Sequence, residues 1–244
     1  MSFSEEAALN FKNLQQNSYP GRGIILGTSP DGKYFAQVYW IMGRSVNSRN
    51  RIFVYEPEKG FLKTKAFDES KCSDPHLIIY YPARHTVCSH IITNGDQTDT
   101  IYNAIKLGGT FESALATREY EDDAPNLTPR ISGITYRNAH PTVYKLSILK
   151  SRNNSEEAGC DRFTYNYEKA LPGFGHFIST YKENGSPIPS FSGEPQLMPI
   201  QATAKETLET YWNAVNEDNK VSMMVKWINR ETFEAETLVI NKLG

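Results

Sequence analysis

The 244-residue chain is poor in cysteine, holding only Cys72, Cys88 and Cys160, an odd and widely spaced set that excludes a disulfide framework and predicts reduced thiols. Long hydrophobic runs are also missing. Stretches such as Ile24-Ile25-Leu26 fall far short of a bilayer span, so no membrane association is expected. Neither sign of charge is in excess: 26 Lys and Arg against 28 Asp and Glu give a formal charge of −2. That balance offers no broad attraction to nucleic acid or to an anionic surface, and any anion must be held by a local cluster of cations. Glu5 and Glu6 stand where a secretory leader would be basic, which predicts a cytoplasmic protein and leaves the sequons at Asn126 and Asn153 without a compartment to act in.

Several sharp motifs are absent as well. Gly21-Arg-Gly23-Ile-Ile-Leu-Gly27 lacks the dinucleotide spacing and opens a strand instead of following one, and there is neither a Walker loop nor a Gly-x-Ser-x-Gly elbow. Cys72, His76, His85, Cys88 and His90 lack the paired spacing of a zinc site. On one extended strand Cys88 and His90 would face one side and His85 the other. No cofactor and no metal is called for.

What is present is an ordinary globular composition, 39% hydrophobic and 12% aromatic, enough for one domain covering residues 1–244. A polar helical lead-in over residues 4–17 ends at Tyr19-Pro20-Gly21. Residues 22–29 and 33–42 then read as a hairpin around Pro30-Asp31-Gly32. Strand patterns continue over 51–55, 76–81 and 86–93, with a break across 56–60. Ile101, Ala104, Ile105, Phe111 and Leu115 recur at helical spacing, Gly108-Gly109 ending one helix and Thr110 opening the next. Four strands are predicted at 130–137, 142–150, 162–168 and 174–182, then a Pro- and Gly-rich loop over 184–199, a helix over 203–216, and strands over 221–228 and 234–240. Strands, then helices, then strands again point to an α+β layered protein.

Three segments carry chemistry. Residues 43–51 pack Arg44, Arg49 and Arg51 with two serines and two asparagines directly after an apolar strand; guanidinium forks and hydroxyls of this kind can share the oxygens of a phosphate, although a solvated loop has the same composition. Thr93-Asn94-Gly95-Asp96-Gln97-Thr98-Asp99 joins a strand to a helix, with Thr98 the predicted cap; a plain turn plus cap explains it equally well. Residues 118–130 gather Tyr120, Glu121, Thr128 and Arg130, a carboxylate, a phenol and a cation able to relay a proton, or else an acidic helix end exposed to water.

Taken in order, Gly43-Arg44-Ser45 with Asn50-Arg51, Tyr80-Tyr81 with Arg84, Asn94-Gly95 with Thr98-Asp99, and Tyr120-Glu121 with Thr128-Pro129-Arg130 resemble the pattern of the archaeal-type IMP cyclohydrolases over residues 22–130. The resemblance implies an N-terminal-nucleophile-hydrolase-like four-layer αββα sandwich with two packed antiparallel sheets, and dehydrating closure of 5-formamidoimidazole-4-carboxamide ribotide to inosine monophosphate without a cofactor. It implies Tyr81, Glu121 and Arg130 as catalytic candidates and Arg44, Ser45, Asn50, Arg51, Asn94, Gly95, Asp99 and Thr128 as substrate-binding candidates. The partner expected is the purine ribotide alone, with no nucleic acid and with room for a homo-oligomer. A non-catalytic ribotide sensor, an amide hydrolase on the same architecture and a single-stranded nucleic-acid binder are the competing classes. The extra length over 152–199 and the Leu127 insertion depart from the family pattern and bear on substrate choice.

Overall fold

A computed structural model describes residues 1–71, 79–137 and 140–244. Cys72 and His76, and the first half of the strand expected over 76–81, lie outside the described residues; residues 79–81 are not part of a strand.

The chain opens with helix α1 (Phe3–Gln16), whose start is fixed by a capping box between Ser2 and Glu5. Strands β1 (Gly23–Thr28) and β2 (Tyr34–Met42) form the expected hairpin. A short helix α2 (Val46–Arg49) separates them from β3 (Arg51–Glu56), β4 (Phe61–Ala66), β5 (Ala83–His85) and β6 (Ser89–Thr93). Helices α3 (Gln97–Lys106) and α4 (Phe111–Leu115) precede β7 (Arg130–Tyr136), β8 (Tyr144–Arg152), β9 (Ser155–Tyr167), β10 (Phe174–Ser179) and β11 (Gln196–Pro199). Helix α5 (Ala204–Ala214) and strands β12 (Lys220–Asn229) and β13 (Ala235–Asn241) close the chain.

The strands form two antiparallel sheets, one in the order β11-β10-β1-β2-β12-β13 and the other β3-β4-β5-β6-β7-β8-β9. Ile24, Tyr39 and Met224 of the first sheet meet Phe53, Ile92 and Leu146 of the second in a common core. The outer face of the first sheet, with Trp40, Phe177 and Val225, is covered by Leu14 of α1 and by Leu208 and Tyr211 of α5. Ile101, Phe111 and Leu115 of α3 and α4 cover Ile91, Ile134 and Leu149 on the outside of the second. Coverage on both faces explains why β1 is buried at every position and reads as a continuous apolar run rather than an alternation. Among the described residues no helix is long and apolar enough to cross a membrane.

Several sequence expectations need correction, among them the strand expected over 86–93, which begins at Ser89 and is preceded by the unexpected β5. Strand β4 was not expected, because Lys63 and Lys65 on its less buried face dilute the alternation. The loop expected over 184–199 ends in β11, a strand held by its pairing to β10 and by packing against α1, neither of which is local in sequence. Strand β9 begins seven residues before the expected 162, since Asn153 and Asn154, at φ 57° and 54°, close a tight hairpin between β8 and β9. Thr98 lies inside α3 instead of capping it; its hydroxyl donates to the Gly95 carbonyl at 3.0 Å, and Asp96 occupies the cap position.

Candidate active site

Where β1 begins, β2 ends and β3 begins, the sandwich opens into a cavity of about 270 Å³. Its floor is set by the turn after β2. The Gly43 amide donates to the Asn219 carbonyl at 2.9 Å, and a Cβ on Gly43 would lie 2.6 Å from the Ser48 hydroxyl, so only glycine allows the chain to turn here into α2. Ser45 and Ser48 form a reciprocal cap on α2. Of the three arginines in this segment, Arg49 staples the turn through Gly43 and Asn219. Arg51 is only 1% exposed, is anchored at Nε by the Ser48 carbonyl at 2.9 Å, and lines the cavity.

Opposite Arg51 stand Arg22, one residue before β1, and Glu121, 3% exposed, with a guanidinium-to-carboxylate separation of 3.6 Å. Burial works against the charge of Arg22, but Glu121 and the tyrosines Tyr181, Tyr80 and Tyr39 hold the guanidinium firmly protonated. Burial pushes the Glu121 carboxyl above the usual carboxylate range against the pull of Arg22. Burial and the neighbouring Arg22 both weaken the hold of Arg51 on its proton, and the phenols Tyr39 and Tyr80, whose hydroxyls are 2.8 Å apart, add negative polarity nearby. The Nε of Arg22 has no hydrogen-bond partner among the described residues. Arg22 thus pairs with a carboxyl that itself tends to keep a proton, and Arg51 lines the same cavity, which Asp123 also reaches.

The other wall is a polar and aromatic ledge. The Thr128 amide donates to Asp123 at 2.6 Å, its hydroxyl also reaches Asp123, and that hydroxyl lies 2.6 Å from the Tyr181 hydroxyl. The Tyr181 ring is stacked on Tyr19 with centroids 5.9 Å apart, and the Arg44 guanidinium lies over Tyr19 at 4.9 Å. Arg44 also donates to Asn184 Oδ1 at 2.6 Å and to the Gly185 carbonyl at 3.0 Å, so the segment after β10, whose role the sequence left open, forms part of the rim together with Ile188.

Arg44, Ser45, Arg51, Glu121 and Thr128 are therefore brought to one cavity, and the other candidates are not. Asn94 stands behind it, its Nδ2 donating to Glu121 at 3.3 Å and to the Pro129 carbonyl at 2.9 Å while its oxygen accepts from Gln97 and Ile131. Arg130 turns to Asp96 and Gln97, both at 2.8 Å, over the backbone of Gly95. Asn50 is spent on the backbone of Asp68, and Asp99 pairs with Arg84 at 2.5 Å. Tyr81 lies with Phe61 and Arg84, its hydroxyl 3.5 Å from Glu56 and away from the cavity; the neighbouring Tyr80 is the one whose hydroxyl is buried near Arg51. Alternation along an extended chain sends these two rings to opposite sides. Sequence reasoning missed Tyr19, Arg22, Asp123 and Tyr181 as site residues. Arg22 carried a usable signal, a lone cation abutting a wholly apolar strand, whereas Tyr181 reaches the site only through the pairing of β10 with β1.

A family model for IMP cyclohydrolase-like proteins matches residues 19–232, a span that includes both walls of the cavity. The chain belongs to this family. A protein of Methanosphaera stadtmanae named IMP cyclohydrolase is 27% identical over 201 residues, covering 80% of this chain and 85% of its own. One of the same name from Methanopyrus kandleri is 33% identical over 121 residues, 48% of this chain and 58% of its own. The family match begins at Tyr19 and so takes in Arg22, whose guanidinium faces Glu121.

Proposed function

We propose that the chain is an IMP cyclohydrolase, closing 5-formamidoimidazole-4-carboxamide ribotide to inosine monophosphate with loss of water. The observation that carries the reading is the Arg22–Glu121 pair, with Arg51 on the same wall, in a cavity bounded by stacked Tyr19 and Tyr181. Arg51, Arg44 and the Ser45 hydroxyl suit the phosphate, since guanidinium forks share its oxygens. The tyrosine ledge suits the flat imidazole.

In the reaction the carboxamide nitrogen attacks the formyl carbon, a C–N bond forms, and the formyl oxygen becomes an oxyanion. Arg22, beside that carbon in this reading, stabilises the oxyanion. One proton leaves the carboxamide nitrogen and one the formamide nitrogen; both end on the formyl oxygen, which departs as water. Glu121, disposed by burial to hold a proton, delivers and recovers them, and Asn94 keeps its carboxyl oriented. An amide is a poor nucleophile, so holding the two groups in attack geometry supplies much of the rate. The layering supports the finer architectural reading of a four-layer, N-terminal-nucleophile-hydrolase-like sandwich. Strand β1 opens with Gly23 after Arg22, so the Ser, Thr or Cys nucleophile of amide-cleaving relatives of that architecture does not stand at this position.

Incubation of the purified chain with the formylated ribotide is expected to yield inosine monophosphate. Release of formate would instead indicate an amide hydrolase. A folded sample that binds the ribotide without turnover would indicate a sensor.

A further inference from the structure

A second cavity, of about 390 Å³, opens among the turn after β3, strands β5 and β6, and the β12–β13 turn. It has no part in the ring-closure reading. At its inner end Lys226, on β12, is 2% exposed, and its ammonium makes no hydrogen bond or ion pair among the described residues. Its in-register neighbours, Gln37 on β2 and Thr237 on β13, also carry buried oxygens, Oε1 and Oγ1, without a hydrogen-bond partner among the described residues.

His85 and His90 complete the group. The sequence placed them on opposite sides of one strand; they belong instead to two strands and are register partners, with rings stacked at 5.4 Å. His90 is 3% exposed and its Nε2 meets the Phe233 carbonyl at 3.2 Å. The Nδ1 atoms of both rings are buried and unpartnered. Gly60, at φ +65°, admits this arrangement: a Cβ there would lie 2.6 Å from His85 Cε1.

Burial holds Lys226 down to about 7, and burial followed by Lys226 lowers both histidines. No carboxylate contributes to any of the three, although Glu58 and Glu234 stand on the cavity wall, and Lys59 is already paired with Glu56 at 3.0 Å. Among the described residues no cluster of three or more His, Cys, Asp or Glu is able to hold a metal. Three nitrogen bases around a common space, each lacking a counter-charge, form a receptor for negative charge.

We propose that Lys226, His85 and His90 form a second binding site that takes a small oxyanion, a carboxylate or a phosphate, with the rest of the ligand packed against Phe233. Binding charges Lys226 and draws protons from solution.

The test is calorimetric titration of the full chain carrying Arg51→Met, which removes the main phosphate contact of the first cavity, with acetate and, separately, with inorganic phosphate at pH 6 and pH 8, each in two buffers of different ionisation heat. Saturable binding is expected at pH 6, where Lys226 is already mostly charged, and weaker binding at pH 8 with net proton uptake, the affinity falling by about tenfold per pH unit above 7. Added to that background, Lys226→Met should weaken it at least tenfold, and His85→Gln should weaken it as well. Binding of acetate alone assigns the site to carboxylates; binding of phosphate as well extends it to phosphate esters. Absence of saturable binding by either probe at pH 6, or binding unchanged on adding Lys226→Met, would overturn the proposal.

Discussion

At one end of the sandwich Arg51 and the largely buried Arg22 stand against Glu121, whereas at the other Lys226 is enclosed with two imidazoles and no contributing carboxylate. Both ends desolvate basic groups, and desolvation costs are comparable in kind. Where a carboxylate is supplied, the cation keeps its charge and the acid is pulled two ways; where none is supplied, the base gives up its proton. A counter-charge built into the fold therefore keeps the Arg22 charge in the first cavity, and its lack leaves the second responsive to pH.

The comparison breaks most sharply at Glu121. Glu121→Gln preserves shape but removes the titrating proton, and ring closure should fall by about 10²–10⁴ in kcat with KM changed far less. A steady-state assay of inosine monophosphate formation measures it, and a loss of less than about tenfold would remove Glu121 from the chemistry.

Lys226→Met should act oppositely, by stabilising the protein. The folded-state value of about 7 lies below the ordinary 10.5, so the unfolded chain holds more protons between those limits and stability rises with pH there. The cost of burying Lys226 is fully present below pH 7 and gone above about 10.5. The variant should gain about 3–5 kcal/mol at pH 6, and that gain should shrink as pH rises towards 10. Urea midpoints at several pH values, with unchanged slope, read this out directly.

Arg51→Met should raise KM for the ribotide by about 10- to 100-fold, as expected for losing a charge-assisted contact of roughly 1.5–3 kcal/mol. Arg44→Ala, on the more exposed rim with Asn184, should cost only a few-fold in KM, in line with the about 1 kcal/mol of an exposed charged contact. Tyr81→Phe should change kcat/KM by less than about twofold, because its hydroxyl is 3.5 Å from Glu56 and outside the cavity. A larger loss for Tyr81→Phe than for Tyr80→Phe would reverse the assignment of the two tyrosines.

Apart from the four-residue α2, the helices and the central strands were legible because their causes are local. Thr110 and Ser113 cap α4, Gly108 takes the positive φ that ends α3, and the turn at residues 30–32 closes the first hairpin. Strand β11 was not, since only β10 and α1 make Gln196–Pro199 extended. The site divides in the same way. Arg44, Ser45 and Arg51 announced themselves as a dense cluster after an apolar strand, but nothing near Tyr81 distinguished it from Tyr80, and nothing near Tyr181 linked it to Thr128, 53 residues away.

By itself the sequence determined the α+β layering and the cation-rich turn after β2, because periodicity and turn chemistry act over a few residues. Only the tertiary structure decided which cations share a carboxylate and which base is left without one. That outcome depends on how strands distant in sequence are brought into register, and electrostatic energy in a desolvated interior depends on distance between side chains, not on separation along the chain.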